Sequence, residues 1–327
     1  MKQNIVQFIY SMKLRYELED AEVNGNVYCG FIGSSFRYPT PILINSFTDS
    51  LTHSLTHSIV YSGNIFQPNN CSCNMLNASN KYVTGHLAMT YTALATLITL
   101  GEDINNLNKQ EIINNLRQCQ QPDGSFSPIP IEGCETDVRY IYCAVAISSM
   151  LNDFSGINIE RTTEFISNCL TYEGGFGLIP GAEAQGGATY CSLASLSLLN
   201  RMNSLSTNDI NNITNWCLHR QVNGYQGRTN KEPDSCYSFW VGGSLSILNS
   251  FHLTDVGNVS PFILQKCQAI KYGGGFSKHP DSYPDVLHTF YSIAWLSLAS
   301  KCDDGIDDTN LKILKKFNAL LGTAELP

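Results

Sequence analysis

Four glycine turns at equal spacing constrain this chain more than any other feature. Gly124 (in DGSF), Gly174 (EGGFG), Gly224 (NGYQG) and Gly274 (GGGF) fall 50 residues apart each time, and a fixed period of that length marks a repeat architecture. Upstream of each turn an amphipathic segment closes near a cysteine: Lys109 to Cys119, Asn158 to Leu170, Asn208 to Leu218, and Pro261 to Cys267. Downstream of each comes a segment that is apolar nearly all round: Val138 to Met150, Gly187 to Leu199, Cys236 to Leu248, and Val286 to Leu298. A helix that is apolar on every side has to be buried on every side. Each unit therefore reads as an outer amphipathic helix, a glycine turn and an inner buried helix. Stacked hairpins of this kind give an α-solenoid or, when closed, an all-α α/α toroid around a central cavity.

Gly85 to Leu100 is a further inner helix, and Gln3 to Met12 and Asn310 to Leu321 read as outer ones, giving five inner and six outer helices. A ring of six pairs would need one more inner helix, and the sequence begins too late to supply it. Ser260-Pro261 has the pattern of a helix start, with a capping hydroxyl before proline at the first helical position. Residues 41–80, rich in Ser, Thr and Asn, read as a loop or insertion, and 301–327 as the last outer helix and a tail. Length alone suggests about two domains, but the repeat makes 1–327 one toroid.

A net charge of -8 with 15% charged residues argues against nucleic-acid binding, which needs basic surface. No secretory signal and no membrane-spanning run is evident. The 12 cysteines are scattered through helical segments, so they are expected to be reduced and the chain cytoplasmic.

Chemistry concentrates in GRTNKEPDSCYSFWVGGSLSIL, residues 227–248. Asp234 and Cys236 fall in the first turn of an inner helix, where the positive end of the helix dipole favours their anionic forms and both can ligate zinc. One period later lies His288, the natural third ligand, near Asp285. Three ligands drawn from Asp, Cys and His leave a fourth position open, as in catalytic zinc sites. An isolated Asp-x-Cys is more often a core thiol beside a capping residue; the matching period moves the balance toward a metal. Arg228 and Lys231, just upstream, suit a polyanion such as diphosphate, although a solvated loop has the same composition. Tyr91, Tyr140, Tyr190, Tyr237, Trp240, Phe290 and Tyr291 could line a cavity for an apolar chain or pack the core. Together the parts describe alkylation of a thiol by a polyisoprenyl diphosphate.

These residues resemble the beta subunits of protein prenyltransferases, most of all the type I geranylgeranyltransferases, over roughly residues 3 to 300. The similarity is carried by GHLAMTYT (85–92), DVRYIYC (137–143), GGATYC (186–191), NGYQGRTNKEPDSCYSFWVG (223–242) and KHPDSYPDVLH (278–288). It implies zinc ligands Asp234, Cys236 and His288, and diphosphate contacts from Arg228, Lys231 and the Tyr237 hydroxyl. Arg139, Cys191, Trp240, Ala88, Met89 and Leu287 match positions lining the isoprenoid and CaaX-peptide sites. Lys278 stands where farnesyltransferases carry a magnesium-recruiting Asp, implying that Mg2+ is not required. Two departures stand out. Gln185 replaces a diphosphate-contacting His, and the family's first inner helix, which sets lipid length, is absent from the sequence.

The resemblance implies transfer of geranylgeranyl from its diphosphate to the cysteine of C-terminal CaaX sequences on Rho-, Rac- or Ras-like small GTPases. It also implies an obligate heterodimer with a prenyltransferase alpha subunit, and, with the length-setting helix missing, acceptance of farnesyl diphosphate too. Competing readings are a farnesyltransferase or Rab geranylgeranyltransferase beta subunit, or a non-catalytic toroid scaffold. QQPDGSF (120–126) also approaches the repeat of class II terpene cyclases, but no DxDD acid motif is present.

Overall fold

The computed structural model describes residues 86–101, 103–301 and 314–325; the expected helix from Gln3 to Met12 and the stretch 41–80 lie outside them. Inner helices are α1 (Leu87–Leu100), α3 (Val138–Leu151), α5 (Gly186–Leu198), α7 (Ser235–Ile247) and α9 (Val286–Ala299). Outer helices are α2 (Lys109–Cys119), α4 (Ile159–Asn168), α6 (Thr207–Leu218) and α8 (Val256–Pro261). Each inner helix packs on the next, α1 on α3, α3 on α5, α5 on α7 and α7 on α9.

The two helix types bury what their patterns require. In α2 one stripe is buried, Ile112, Ile113, Leu116 and Cys119, whereas in α3 every residue from Ile141 to Ser148 is buried. At about 1.5–3 kcal/mol for each large apolar side chain fully buried, the inner helices carry most of the stability. The glycine turns lock adjacent repeats together. In each, the aromatic after the glycine, Phe126, Phe176, Tyr225 or Phe276, is fully buried and closes an antiparallel bridge to Gln120, Leu170, Gln221 or Gln268 respectively. Gly124 and Gly174 have φ of +92° and +101°, and a Cβ on them would lie 2.2 Å from Arg161 O and 2.7 Å from Asn212 O. The period thus marks where the next repeat's outer helix crosses the turn.

Every inner helix is capped by the side chain of its preceding residue: His86, Asp137, Gln185, Asp234 and Asp285. Such a cap accepts from an otherwise unsatisfied amide of the first turn. These five caps lie at the same end of their helices, and the candidate site is built from them.

Two expectations are corrected. The Ser260-Pro261 pair does not begin the fourth outer helix. α8 starts at Val256, with Asp255 accepting from Asn258 N at 3.0 Å. Pro261 lies inside it, and a π-helical turn, Phe262–Cys267, follows. Proline removes an intrahelical donor, and the ladder widens past the gap. The described part of the stretch from Asn310 to Leu321 is not helical. Leu314 to Glu325 instead holds a two-stranded hairpin, β3 (Phe317–Asn318) and β4 (Thr323–Ala324). Asn318 Oδ1 accepts from the amides of Leu320 and Leu321, and Gly322 turns with φ of +66°. β3 touches α9 and β4 touches α1, so the hairpin bridges the last and first described inner helices. Among the described residues no helix is long and apolar enough to cross a membrane.

Candidate metal and diphosphate site

The loop before α7 brings Asp234 to the helix cap, its carboxylate accepting from Cys236 N at 3.0 Å. A short hairpin, β1 (Phe276–Ser277) with β2 (Pro284–Asp285), delivers α9 beside it. Ligand atoms of Asp234, Cys236 and His288 all lie within 4.8 Å of one another. Asp234 and Cys236 are buried, at 5% and 7% exposure, and the His288 side chain is 12% exposed. The 3.3 Å between His288 Nε2 and Asp234 Oδ1 matches the roughly 3.4 Å edge expected between two ligands of one tetrahedral zinc. An oxygen, a sulfur and a nitrogen converging from two helix starts form a donor set suited to zinc.

His288 is oriented from behind. Its Nδ1 donates to Asp285 Oδ2 at 2.6 Å, while Asp285 Oδ1 accepts from His288 N at 2.8 Å. That fixes the tautomer and turns Nε2 toward Asp234 and Cys236, as carboxylates commonly do for ligating histidines. Burial lowers the His288 pKa, but the hydrogen bonds to Asp234 and Asp285 outweigh it and leave the ring above its ordinary value. Burial raises Asp234, yet hydrogen bonds from His288 and Cys236 hold it below the usual carboxylate range. Burial and the adjacent Asp234 carboxylate push the Cys236 thiol far up. A thiol so placed stays protonated until a cation compensates the thiolate. The nearby Lys278 charge pulls the other way.

Around this cluster lie cations. Lys278 Nζ is 3.8 Å from Asp234 Oδ2. Arg228 Nη1 pairs with Glu183 Oε2 at 2.9 Å, and Lys231 is exposed one turn of loop away. Tyr237 is boxed in by backbone. A Cβ on Gly227 would lie 2.2 Å from its Cζ, and one on Gly186 would lie 3.0 Å from its Cδ1. Its hydroxyl accepts from Gln185 Nε2 at 3.0 Å, while Gln185 Oε1 caps α5 by accepting from Ala188 N. Gln185 thus acts as cap and tether of Tyr237.

The expected lining residues divide. Trp240 is central, 5.2 Å from the Tyr190 ring and 4.3 Å from Tyr291, and Cys191 is buried on α5. Ala88 and Met89 are partly buried in the first turn of α1, and Leu287 is 52% exposed beside His288. Arg139 is clamped by Asp137, Nη2 to Oδ2 at 2.6 Å, with Glu135 beyond. Sequence reasoning missed the roles of three residues. Asp285 had a signal, since a capping Asp three residues before a ligating His can reach both its amide and its ring. Glu183 had none, because its pairing with Arg228 spans 45 residues. The third, Tyr142, donates to Leu320 O of the C-terminal hairpin at 3.1 Å.

Comparison with known proteins places the chain. The sequence model of the prenyltransferase alpha-alpha toroid domain matches residues 1–322. The chain belongs to that family. It is 45% identical over 232 residues to the geranylgeranyl transferase type-1 subunit beta of Arabidopsis thaliana, covering 68% of this chain and 61% of that one. With the Dictyostelium discoideum subunit of the same name it shares 35% over 301 residues, covering 91% and 77%. The chain therefore spans under two thirds of the plant relative. Among solved structures, Candida albicans protein geranylgeranyltransferase-I complexed with GGPP matches with a TM-score of 0.68 and 27% identity, covering 85% of this chain and 83% of that chain. The toroid and the kinship to type I beta subunits expected from the sequence are both found.

Proposed function

We propose that this prenyltransferase-family chain is the catalytic beta subunit of a zinc-dependent type I protein geranylgeranyltransferase. The observation that carries the reading is the convergence of Asp234, Cys236 and His288 on one point, with Tyr237 next to Cys236 and with Arg228 and Lys231 in the loop that leads into the same helix. Those three ligands would hold the ion, which when bound would favour the thiolate of an acceptor cysteine at its open position. The acceptor's sulfur–carbon bond forms at C1 of the prenyl diphosphate as the C1–oxygen bond breaks and diphosphate leaves.

The chain's own groups serve the leaving diphosphate. Arg228 and Lys231 supply positive charge where negative charge grows. Arg228 is held by Glu183 in the free chain, and diphosphate, carrying more charge than one carboxylate, would compete for it. Because Gln185 donates to the Tyr237 oxygen, the phenolic proton is left to point at the leaving group. Lys278, beside Asp234, can offset diphosphate charge where a relative would recruit Mg2+, so turnover should not need that ion. The acceptors are CaaX sequences of small GTPases and the donor geranylgeranyl diphosphate, with farnesyl diphosphate also taken. An alpha subunit completes the cation set.

The test is to co-express the chain with a prenyltransferase alpha subunit, measure zinc per heterodimer, and assay both diphosphates against CaaX peptides with and without Mg2+ chelation. One zinc per beta chain with Mg2+-independent geranylgeranyl transfer supports the reading. A metal-free heterodimer, or one inactive with both lipids, rejects it.

A further inference from the structure

Beside the loop that carries Arg228 and Lys231, a further cation is buried. Arg220 follows the end of α6 (Thr207–Leu218) and is 8% exposed. Among the described residues it makes no ion pair, and the carboxylate acting on it, Glu173, does so only through space. Its guanidinium stands 5.0 Å over the Trp216 ring at the carbonyl end of the helix, and an aromatic face and a helix C-terminus both favour a positive charge. Nη1 is therefore left to donate elsewhere. It donates to Thr229 Oγ1, at 2.6 Å.

Thr229 belongs to the turn that presents the candidate diphosphate cations. Lys231 N donates to Arg228 O at 3.3 Å, and Asn230 turns with φ of +59°. The base of the turn is tied by backbone, Gln226 N to Arg220 O and Gly186 N to Gly227 O, each at 2.9 Å, with Gln226 bridging to Pro233. Its tip is not. From Thr229 to Glu232 every residue is exposed, and a cavity of about 440 Å³ opens beside Thr229, lined also by Tyr172, Glu173, Asn212 and Trp216. With open space there in place of packed side chains, hydrogen bonds have to hold the tip. Among the described residues two side-chain bonds do so: Arg228 to Glu183 at 2.9 Å, and Thr229 to Arg220.

The two ties share one support. A Cβ on Gly175 would lie 2.8 Å from Trp216 Cδ2 and 3.0 Å from Ala184 Cβ, so the ring beneath Arg220 is wedged against the segment that carries Glu183. They differ in what a ligand does to them. A diphosphate that takes Arg228 from Glu183 removes the first tie and leaves the second. Burying a guanidinium without a full set of partners is costly, and Arg220 Nε has none; the bond to Thr229 is what its burial supplies.

We infer that Arg220 is a positioning residue for the diphosphate, holding the Arg228–Lys231 turn in place through Thr229 once Arg228 has exchanged Glu183 for the leaving group. This rests on the prenyltransferase reading above and adds to it a support for the cations from the end of an outer helix.

The experiment uses the heterodimer and the variants Thr229→Val, Thr229→Ser and Arg220→Met, singly and with the first and last combined. Affinities are measured for geranylgeranyl diphosphate and for geranylgeraniol, which lacks the diphosphate. Thr229→Val keeps the shape of the side chain and removes the acceptor, so it should weaken the diphosphate at least about fivefold, the worth of one ordinary hydrogen bond. Geranylgeraniol affinity, the KM for a CaaX peptide and zinc content should stay within about twofold of wild type. Thr229→Ser retains the hydroxyl and should restore diphosphate affinity to within about twofold. Arg220→Met should lose as much as Thr229→Val, and the double variant no more than either single, because both changes remove one bond. Hydrogen exchange of the Lys231 amide should quicken in Thr229→Val. Diphosphate affinity within about twofold of wild type in that variant, an equal loss for the alcohol, additive losses in the double variant, or unchanged Lys231 exchange would overturn the proposal. Should the wild type bind no prenyl diphosphate, the prenyltransferase reading itself fails, and the exchange result still shows separately whether Arg220 holds the turn.

Discussion

Two of the inner helices open with the same device and end with opposite chemistry. At α3, Asp137 caps the helix through Arg139 N at 2.8 Å, and the Arg139 guanidinium closes on the same carboxylate, Nη2 to Oδ2 at 2.6 Å. At α7, Asp234 caps through Cys236 N at 3.0 Å, but the residue in the arginine's place is a buried thiol. Asp137 has its counter-charge built in. Asp234 has only a lysine 3.8 Å away and a histidine from the next helix. A capping carboxylate neutralised by its own helix is structural, whereas one left to its neighbours can accept a metal. The difference between the two starts comes down to one side chain two residues past the cap.

The comparison is broken most severely by making the second start like the first. Cys236→Arg would place a guanidinium across Asp234 and remove a ligand together. Metal content should fall below about a tenth of wild type and turnover by more than about a hundredfold, since even residues behind the ligands are worth 10–100-fold; elemental analysis and a CaaX-peptide assay measure both. His288→Ala follows, removing the nitrogen ligand and leaving Asp234 and Asp285 without their shared partner. Its metal should be lost to mild chelators that spare the wild type, with the far-UV circular dichroism of the toroid retained.

Asp285→Asn keeps a helix cap but weakens the hold on His288 Nδ1. Metal affinity, read by competition with a chromophoric chelator, should drop about 10–100-fold. The pH dependence follows from the same groups. Metal needs Cys236 as thiolate and His288 neutral, and both groups lie above their ordinary values in the metal-free chain. Acid favours the proton-loaded site, so affinity should fall as pH is lowered through neutrality, by about tenfold per unit for each proton displaced. A pH-independent affinity would show that neither the thiol nor the imidazole gives up a proton to the metal. Smallest of all, Asp137→Asn retains a capping side chain and should change metal content not at all and stability by less than about 1 kcal/mol. A large metal loss there would mean the two starts are coupled.

The sequence was most legible where the period repeats. α2 runs from Lys109 to Cys119 as expected, and α3, α5, α7 and α9 begin within one residue of their expected positions, because a buried helix must be apolar throughout. The grouping of Asp234, Cys236 and His288 was legible for the same reason, one period carrying a side chain to the adjacent helix start. Fourth-repeat boundaries were not, since Ser260-Pro261 looks like a start and only the longer-range packing of Phe262 against Gly224 shows that the helix is already under way. The C-terminal hairpin was hidden for a deeper reason. Its carbonyls are satisfied by tyrosines up to 230 residues away, and no local pattern in LLGTAEL reveals that its hydrogen bonds lie elsewhere.

The central claim, that Asp234, Cys236 and His288 together hold a metal with one position open, is tested most directly by cobalt(II) substitution of the heterodimer. Thiolate-to-cobalt charge-transfer absorption should appear in the wild type, vanish in Cys236→Ser, and intensify when a CaaX peptide brings a second thiolate to the open position. A cobalt-loaded protein whose spectrum lacks that band, or does not change on adding the peptide, would contradict the account.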